Sequence, residues 1–250
     1  MKTLLRFVGA DLLQFRYSST TLIAAASAVG FAALLTGMLV STAGAETGID
    51  LETAWGQGEV LVDPLTGLIL LGLFASVWGN SYRDRSVTWS YLQSPHRGTV
   101  LAAQLISSAI VAFVVGLLAV VAKVATLQVM AGPPPAPWWT DNHGLLAVAG
   151  AVATTTVLAV VGTTIAVLTR SAALAVGVVF GWILLVEPLV LGILTVPEVV
   201  HQAFPGYSLG VIRNGLDDLD VAKAAALMVG YTVALAAAVF VVHRRRDPVR

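Results

Sequence analysis

Residues 82–98 read YRDRSVTWSYLQSPHRG, and long apolar runs stand on either side of them, at roughly 60–79 and 99–122. Each flank has about the 20 apolar residues that crossing a bilayer requires. The segment between carries Arg83, Arg85 and Arg97, a Ser94-Pro95 break, and the side chains of Trp89, Tyr91 and Leu92. The pattern predicts two membrane spans joined by a short amphipathic segment at the inner membrane surface. Arg83 and Arg85 can reach phosphates or the carboxylates of a partner, while Trp89, Tyr91 and Leu92 offer an apolar contact. The most elaborate cytoplasmic loop of a membrane protein is the place to expect a docked partner.

Composition agrees with that reading. Of 250 residues, 57% are hydrophobic and 11% charged, and mean hydropathy is +0.86. Soluble domains carry about 25% charged residues, and setting the apolar runs aside leaves no soluble domain of useful size. The chain reads as one integral membrane domain over residues 1–250. Lys and Arg together number 14, as do Asp and Glu, so bulk attraction to nucleic acid is not indicated. Absence of cysteine excludes disulfides, thiolate metal sites and thiol catalysis.

Six apolar runs are long enough to span: approximately 20–41, 60–79, 99–122, 145–168, 172–194 and 221–242. Before the first, over residues 1–18, Leu4, Leu5, Phe7, Val8, Leu12, Leu13 and Phe15 alternate with Lys2, Arg6, Asp11 and Arg16. That spacing predicts an amphipathic helix lying in the interface. Ala43-Gly44-Ala45 resembles a signal-peptidase site, but the run 22–40 exceeds the about 7–15 residues of a signal core, so a retained helix is expected.

Basic residues set the orientation. With the N-terminus inside, Lys2, Arg6, Arg16, Arg83, Arg85, Arg97, Arg170, Arg244, Arg245, Arg246 and Arg250 are all cytoplasmic. Arg213 and, marginally, Lys223 fall outside. The loop 42–59 has acids but no Lys or Arg, and 131–144 also has none. In the latter, Pro133-Pro134-Pro135 and Trp138-Trp139 suit a stiff turn with an aromatic anchor. Both termini are therefore expected inside. Residues 195–219, broken by Pro197, Pro205 and Gly206, are too apolar for a solvated loop and predict a helical excursion on or into the outer leaflet.

Soluble-enzyme motifs are missing. No G-x-x-x-x-G-K-[ST], H-E-x-x-H or G-x-S-x-G sequence occurs, and the four histidines sit apart. The chain itself is therefore expected to hold no ATP site, metal site or catalytic residue. Glu187, followed by Pro188 in the fifth run, reads either as a polar point in a translocation path or as a carboxyl bonding a neighbouring helix. Lys123 is expected to snorkel from the outer end of the third span, and Asp63 to stand at a helix N-terminus. Small residues in the fourth run, Ala147, Gly150, Ala151, Ala153, Ala159 and Gly162, suit close helix packing. Arg244-Arg245-Arg246 suits a topology anchor.

Together these features resemble the membrane subunits of the ABC-2 class of ABC transporters. Tyr82-Arg83, Thr88, Leu92, Pro95, Arg97 and Leu101-Ala102-Ala103 sit where that family tends to show a Tyr-Arg, a Thr-rich turn, a Leu, a Pro-Arg pair and a Leu-Ala-Ala-Lys opening of the third span. Arg170, Trp182, Val186-Glu187-Pro188 and Phe204-Pro205-Gly206 are similar to actinobacterial members. Two positions depart from the pattern: Ser81 stands for a usual Glu and Gln104 for a usual Lys. A neutral hydrogen bond between them, or none, is the expectation.

The resemblance implies an all-α integral membrane fold. It has six transmembrane helices, an N-terminal interfacial helix, a cytoplasmic coupling helix between spans two and three, and an extracellular helical excursion between spans five and six. It also implies a second permease copy, as homodimer or heterodimer, and a separate ABC ATP-binding subunit that carries ATP and magnesium. Arg83, Arg85, Trp89, Tyr91, Leu92, Pro95 and Arg97 would meet that ATPase. Glu187, Trp182, Phe204, the inner faces of spans two and five and the excursion 195–211 would lie on the route. The cargo would be lipophilic or amphipathic (a drug, antibiotic, peptide or lipid) and would be exported across the cytoplasmic membrane. A permease-like signalling or immunity subunit and a membrane-embedded enzyme are the alternatives; the latter usually pairs polar residues within spans, and Glu187 stands alone in sequence.

Overall fold

The computed structural model describes residues 2–46, 64–84, 88, 91–92, 97–132, 142–186, 189–190 and 218–245. Among them are seven helices and no strand. These are α1 (Lys2–Tyr17), α2 (Ser19–Glu46), α3 (Pro64–Arg83), α4 (Arg97–Ala131), α5 (Asn142–Thr169), α6 (Ala172–Gly181) and α7 (Asp218–Arg245). Within them Ser19–Met38, Gly98–Met130 and Val148–Thr169 are long and apolar enough to cross a membrane. The apolar stretches of α6 and of α7, Ala226–Val242, are shorter.

The distribution of polarity is that of a protein surrounded by lipid. Ser107, Ser108, Thr36, Thr66, Thr163 and Thr164 are buried, while Ile110, Phe113, Leu117, Val121, Leu174 and Val178 lie on the outside. Water would reverse that pattern. Buried hydroxyls need acceptors where no water reaches them, and several find one in their own helix. Thr36 donates to the Ala32 carbonyl at 2.9 Å, Thr164 to Val160 at 2.6 Å and Thr232 to Met228 at 2.8 Å.

Close approaches fix the helix directions. A Cβ on Gly67 would meet Leu158, and one on Gly162 would stand 2.7 Å from the Leu71 carbonyl oxygen, so α3 and α5 run parallel. Gly116 faces Thr155 and Val152, while Ser108 meets both Trp78 and Thr163, so α4 runs against both. Gly37 against Thr126 and Met130 sets α2 alongside α4, and Ala28 and Ala112 lie in one buried cluster further down. Gly98 against Phe240 sets the end of α7 beside the start of α4. The expected small-residue packing of the fourth apolar run is seen here: Ala151 and Ala159 are buried and Gly162 makes room for α3.

α3 is the central strut. Leu68, Leu70, Leu71, Leu73, Phe74, Ala75 and Trp78 are all buried, packed by α2, α5 and α6. Helix α4 is longer than its apolar run suggested. Its 35 residues rise about 50 Å at 1.5 Å per residue, against a hydrocarbon core of about 30 Å. The apolar run 99–122 predicts a span with Lys123 near its outer end, snorkelling to the surface. In the structure Lys123 is 3% exposed, in register with buried Ala119, Val120 and Leu127. The charge faces inward on a continuing helix, so it cannot mark the helix end.

α6 begins on a tight reversal. Arg170 has φ 54°, the left-handed region that a non-glycine residue occupies at a cost. Its N–H still closes the last turn of α5 on Ala166 at 2.8 Å, and Ser171 Oγ then accepts the Leu174 N–H at 3.4 Å as cap of α6. At its far end the helix widens into a π turn over Trp182–Val186.

Candidate functional site

One end of the bundle gathers the basic residues. The C-terminus of α3 with Arg83, the start of α4 with Arg97, Arg170 of the α5–α6 reversal and the end of α7 with Arg244 and Arg245 all converge there. α1 joins them with Arg6 and Arg16. Phe15 inserts edge-on against Phe74 and Trp78, at centroid distances of 5.6 and 5.9 Å, and Ser107 donates to Asp11 Oδ2 at 3.3 Å. Lys123 and Lys223 are the basic residues placed elsewhere among the described residues.

That docking gives α1 a face the sequence pattern did not separate. Val8, Asp11 and Phe15 recur at helical spacing and turn toward the bundle, whereas Leu5 and Leu13 point away. Burial raises the Asp11 carboxyl from 3.8 to about 6, with the Ser107 hydrogen bond opposing the rise.

Of the segment between α3 and α4, the described residues Thr88, Tyr91 and Leu92 are helical. Leu92 is 73% exposed, and Arg83, whose side chain is 72% exposed, touches the carboxylate of its neighbour Asp84 at 3.2 Å. An ion pair so open to solvent holds little energy, so the Arg83 guanidinium can exchange Asp84 for a partner group. Tyr91 behaves differently. It is half-buried, with its hydroxyl 2.9 Å from that of Tyr82.

Tyr82 sits at the crossing point of this end. Its ring packs against the buried cluster that Leu101 and Leu105 of α4, Val167 of α5 and Val239 of α7 form together. Around its hydroxyl lie the Gln104 side chain and the charge of Arg170. Gln104 is 3% exposed, and its Oε1 has no hydrogen-bond partner among the described residues. Ser81 gives its hydroxyl hydrogen to the Val77 carbonyl at 2.8 Å. Gly79, one turn earlier on α3, lies so close to the α6 start that a Cβ there would run into the Ala172 backbone N. The basis of the segment is therefore wedged against the α5–α6 reversal.

Trp182 is not part of this cluster. It lies 44% exposed on the outer stripe of α6 with Leu174, Val178 and Leu185, about 15 Å along the helix from the reversal. Arg85, Trp89, Pro95, Glu187 and Phe204 fall outside the described residues, as do the Pro133-Pro134-Pro135 turn and the excursion 195–211. The backbone of Arg97 opens α4. Tyr82, Asp11 and the left-handed Arg170 were not singled out by sequence spacing for the contacts they make. Comparison with models of protein families, with curated proteins and with solved structures gives no match.

Proposed function

We propose that this chain is the transmembrane subunit of an ATP-driven exporter of the ABC-2 class. It would cross the cytoplasmic membrane six times with both termini inside. The observation that carries the reading is the single basic end, where Arg83 and Leu92 stand exposed on the segment that joins two packed helices. Positive charge concentrated on one side marks the cytoplasmic face of a membrane protein. Two copies of the chain would form the passage, and a separate ABC ATP-binding subunit would dock on the segment 83–97. Nucleotide-driven closure of the ATPase would then tilt α3 and α4. Because α3 is buried within one copy, the exposed stripe of α6 is the better candidate for the surface facing the cargo or the second copy. A lipophilic or amphipathic cargo suits a surface of Leu174, Val178 and Trp182.

The test is reconstitution with the ATPase subunit. Arg83→Ala, Arg85→Ala and Trp89→Ala are each expected to lower cargo moved per ATP hydrolysed while the chain remains folded. Unchanged coupling in all three, or purification of an intact functional complex holding no ATPase, would overturn the reading.

A further inference from the structure

We propose that the Tyr82–Tyr91 hydroxyl pair is a strut that passes movement of the segment 83–97 to the α5–α6 reversal, and so to α6, in addition to the two helices the segment joins. The inference rests on the exporter reading above and deepens it by naming how the docking site reaches a helix it is not covalently attached to.

Three observations carry it. Tyr91 belongs to the segment and Tyr82 to α3, and their hydroxyls are 2.9 Å apart in a partly buried position. Separating the two hydroxyls breaks this bond where little water reaches to replace it, so the bond couples the segment to α3. The Tyr82 ring packs against a buried cluster drawn from α4, α5 and α7, with the charge of Arg170 of the reversal acting on its hydroxyl. Finally, α3 touches the first residue of α6 without intervening side chain, Gly79 lying against Ala172. The reversal itself is stiff on the α6 side: the Thr169 hydroxyl lies 3.1 Å from the Ser171 carbonyl, the Ser171 side chain caps α6, and Ala175 N–H bonds the Ser171 carbonyl at 3.1 Å. A push at Tyr82 has no soft element to dissipate in before it reaches α6.

The chain contains no cysteine, so single cysteines report local change cleanly. Asn80→Cys, exposed on the last turn of α3, reports the covalently linked helix, and Ala173→Cys, exposed on the first turn of α6, reports the reversal. Each is placed in the complete complex with its ATPase in nanodiscs, and its labelling rate by a water-soluble maleimide is read with and without a trapping ATP analogue. Both sites are expected to change rate on nucleotide binding in the otherwise native chain. In Tyr82→Phe and Tyr91→Phe, which keep the rings and remove only a hydroxyl, Asn80→Cys is expected to respond still while the response of Ala173→Cys falls, the Gly79–Ala172 contact carrying what remains. A full response at Ala173→Cys in both variants would overturn the strut while leaving the exporter reading standing. If neither cysteine responds in the native background, nucleotide drives no movement here, and the exporter reading falls together with the strut.

Discussion

Trp78 donates its indole N–H to Ser108 Oγ over 2.8 Å, and the Ser108 and Thr163 hydroxyls stand 3.0 Å apart. Thr163 Oγ1 is also 2.9 Å from the Ala159 carbonyl. Each hydroxyl has one hydrogen. The assignment that satisfies all of them runs from Trp78 to Ser108, from Ser108 to Thr163, and from Thr163 into the backbone of α5. One chain of bonds therefore ties α3, α4 and α5 together inside the bundle.

Breaking that chain should be measurable. Ser108→Ala leaves the buried indole N–H without an acceptor, a loss of about 1–2 kcal/mol by comparison with interhelical bonds in lipid. Trp78→Phe/Ser108→Ala is expected to cost less than the sum of the single changes, because the orphaned donor is gone. Unfolding in mixed detergent micelles checks both.

Steric closeness gives a second expectation. Gly79→Ala would drive a methyl into the Ala172 backbone N, and Gly162→Ala would place one 2.7 Å from the Leu71 carbonyl oxygen. Overpacking against backbone costs about 1–3 kcal/mol, so both variants should melt earlier in detergent. Gly230→Ala meets nothing within 4 Å and should be neutral or stabilising, by up to about 1 kcal/mol of helix propensity.

Asp11 ties stability to pH. Because burial raises its carboxyl from 3.8 to about 6, the folded chain holds the proton more tightly than the unfolded one. This contribution is complete below about pH 4 and lost as pH rises through about 6. Relative to the native chain, Asp11→Asn should therefore gain stability progressively across that window and keep the gain above it. Melting temperature followed from pH 4 to 8 in both proteins checks the sign; parallel curves would detach Asp11 from the fold.

Arg170 tests the reversal. At φ 54°, Arg170→Gly relieves about 1 kcal/mol of backbone strain, whereas β-branched Arg170→Val adds to it. The glycine variant should melt no earlier than the native chain and the valine variant several degrees earlier.

Much of the fold was legible because lipid-crossing helices need only length and apolar content. Among the described residues the apolar runs lie on helices, three of them long enough to span, and the α5–α6 reversal follows the run boundary at Arg170. Lys123 misled because a charge in an apolar run reads as an end, while only the packed bundle shows that its stripe is the buried one. Asp11 looked like one more polar residue of an interfacial helix, since sequence periodicity cannot say which polar position meets Ser107. At the basic end, Arg83 and Leu92 were legible as exposed by chemistry alone. The inward turn of Tyr91 was not, because it depends on Tyr82, nine positions away on another element and held by residues from three further helices.

The central claim is that the segment around Leu92 faces the cytoplasm and receives an ATPase there, and Leu92→Cys in this cysteine-free chain tests it most directly. A membrane-impermeant maleimide should label that cysteine in inverted vesicles and not in intact cells, and the bound ATP-binding subunit should protect it. Labelling from outside intact cells, or labelling in inverted vesicles that the ATPase leaves unchanged, would contradict the claim.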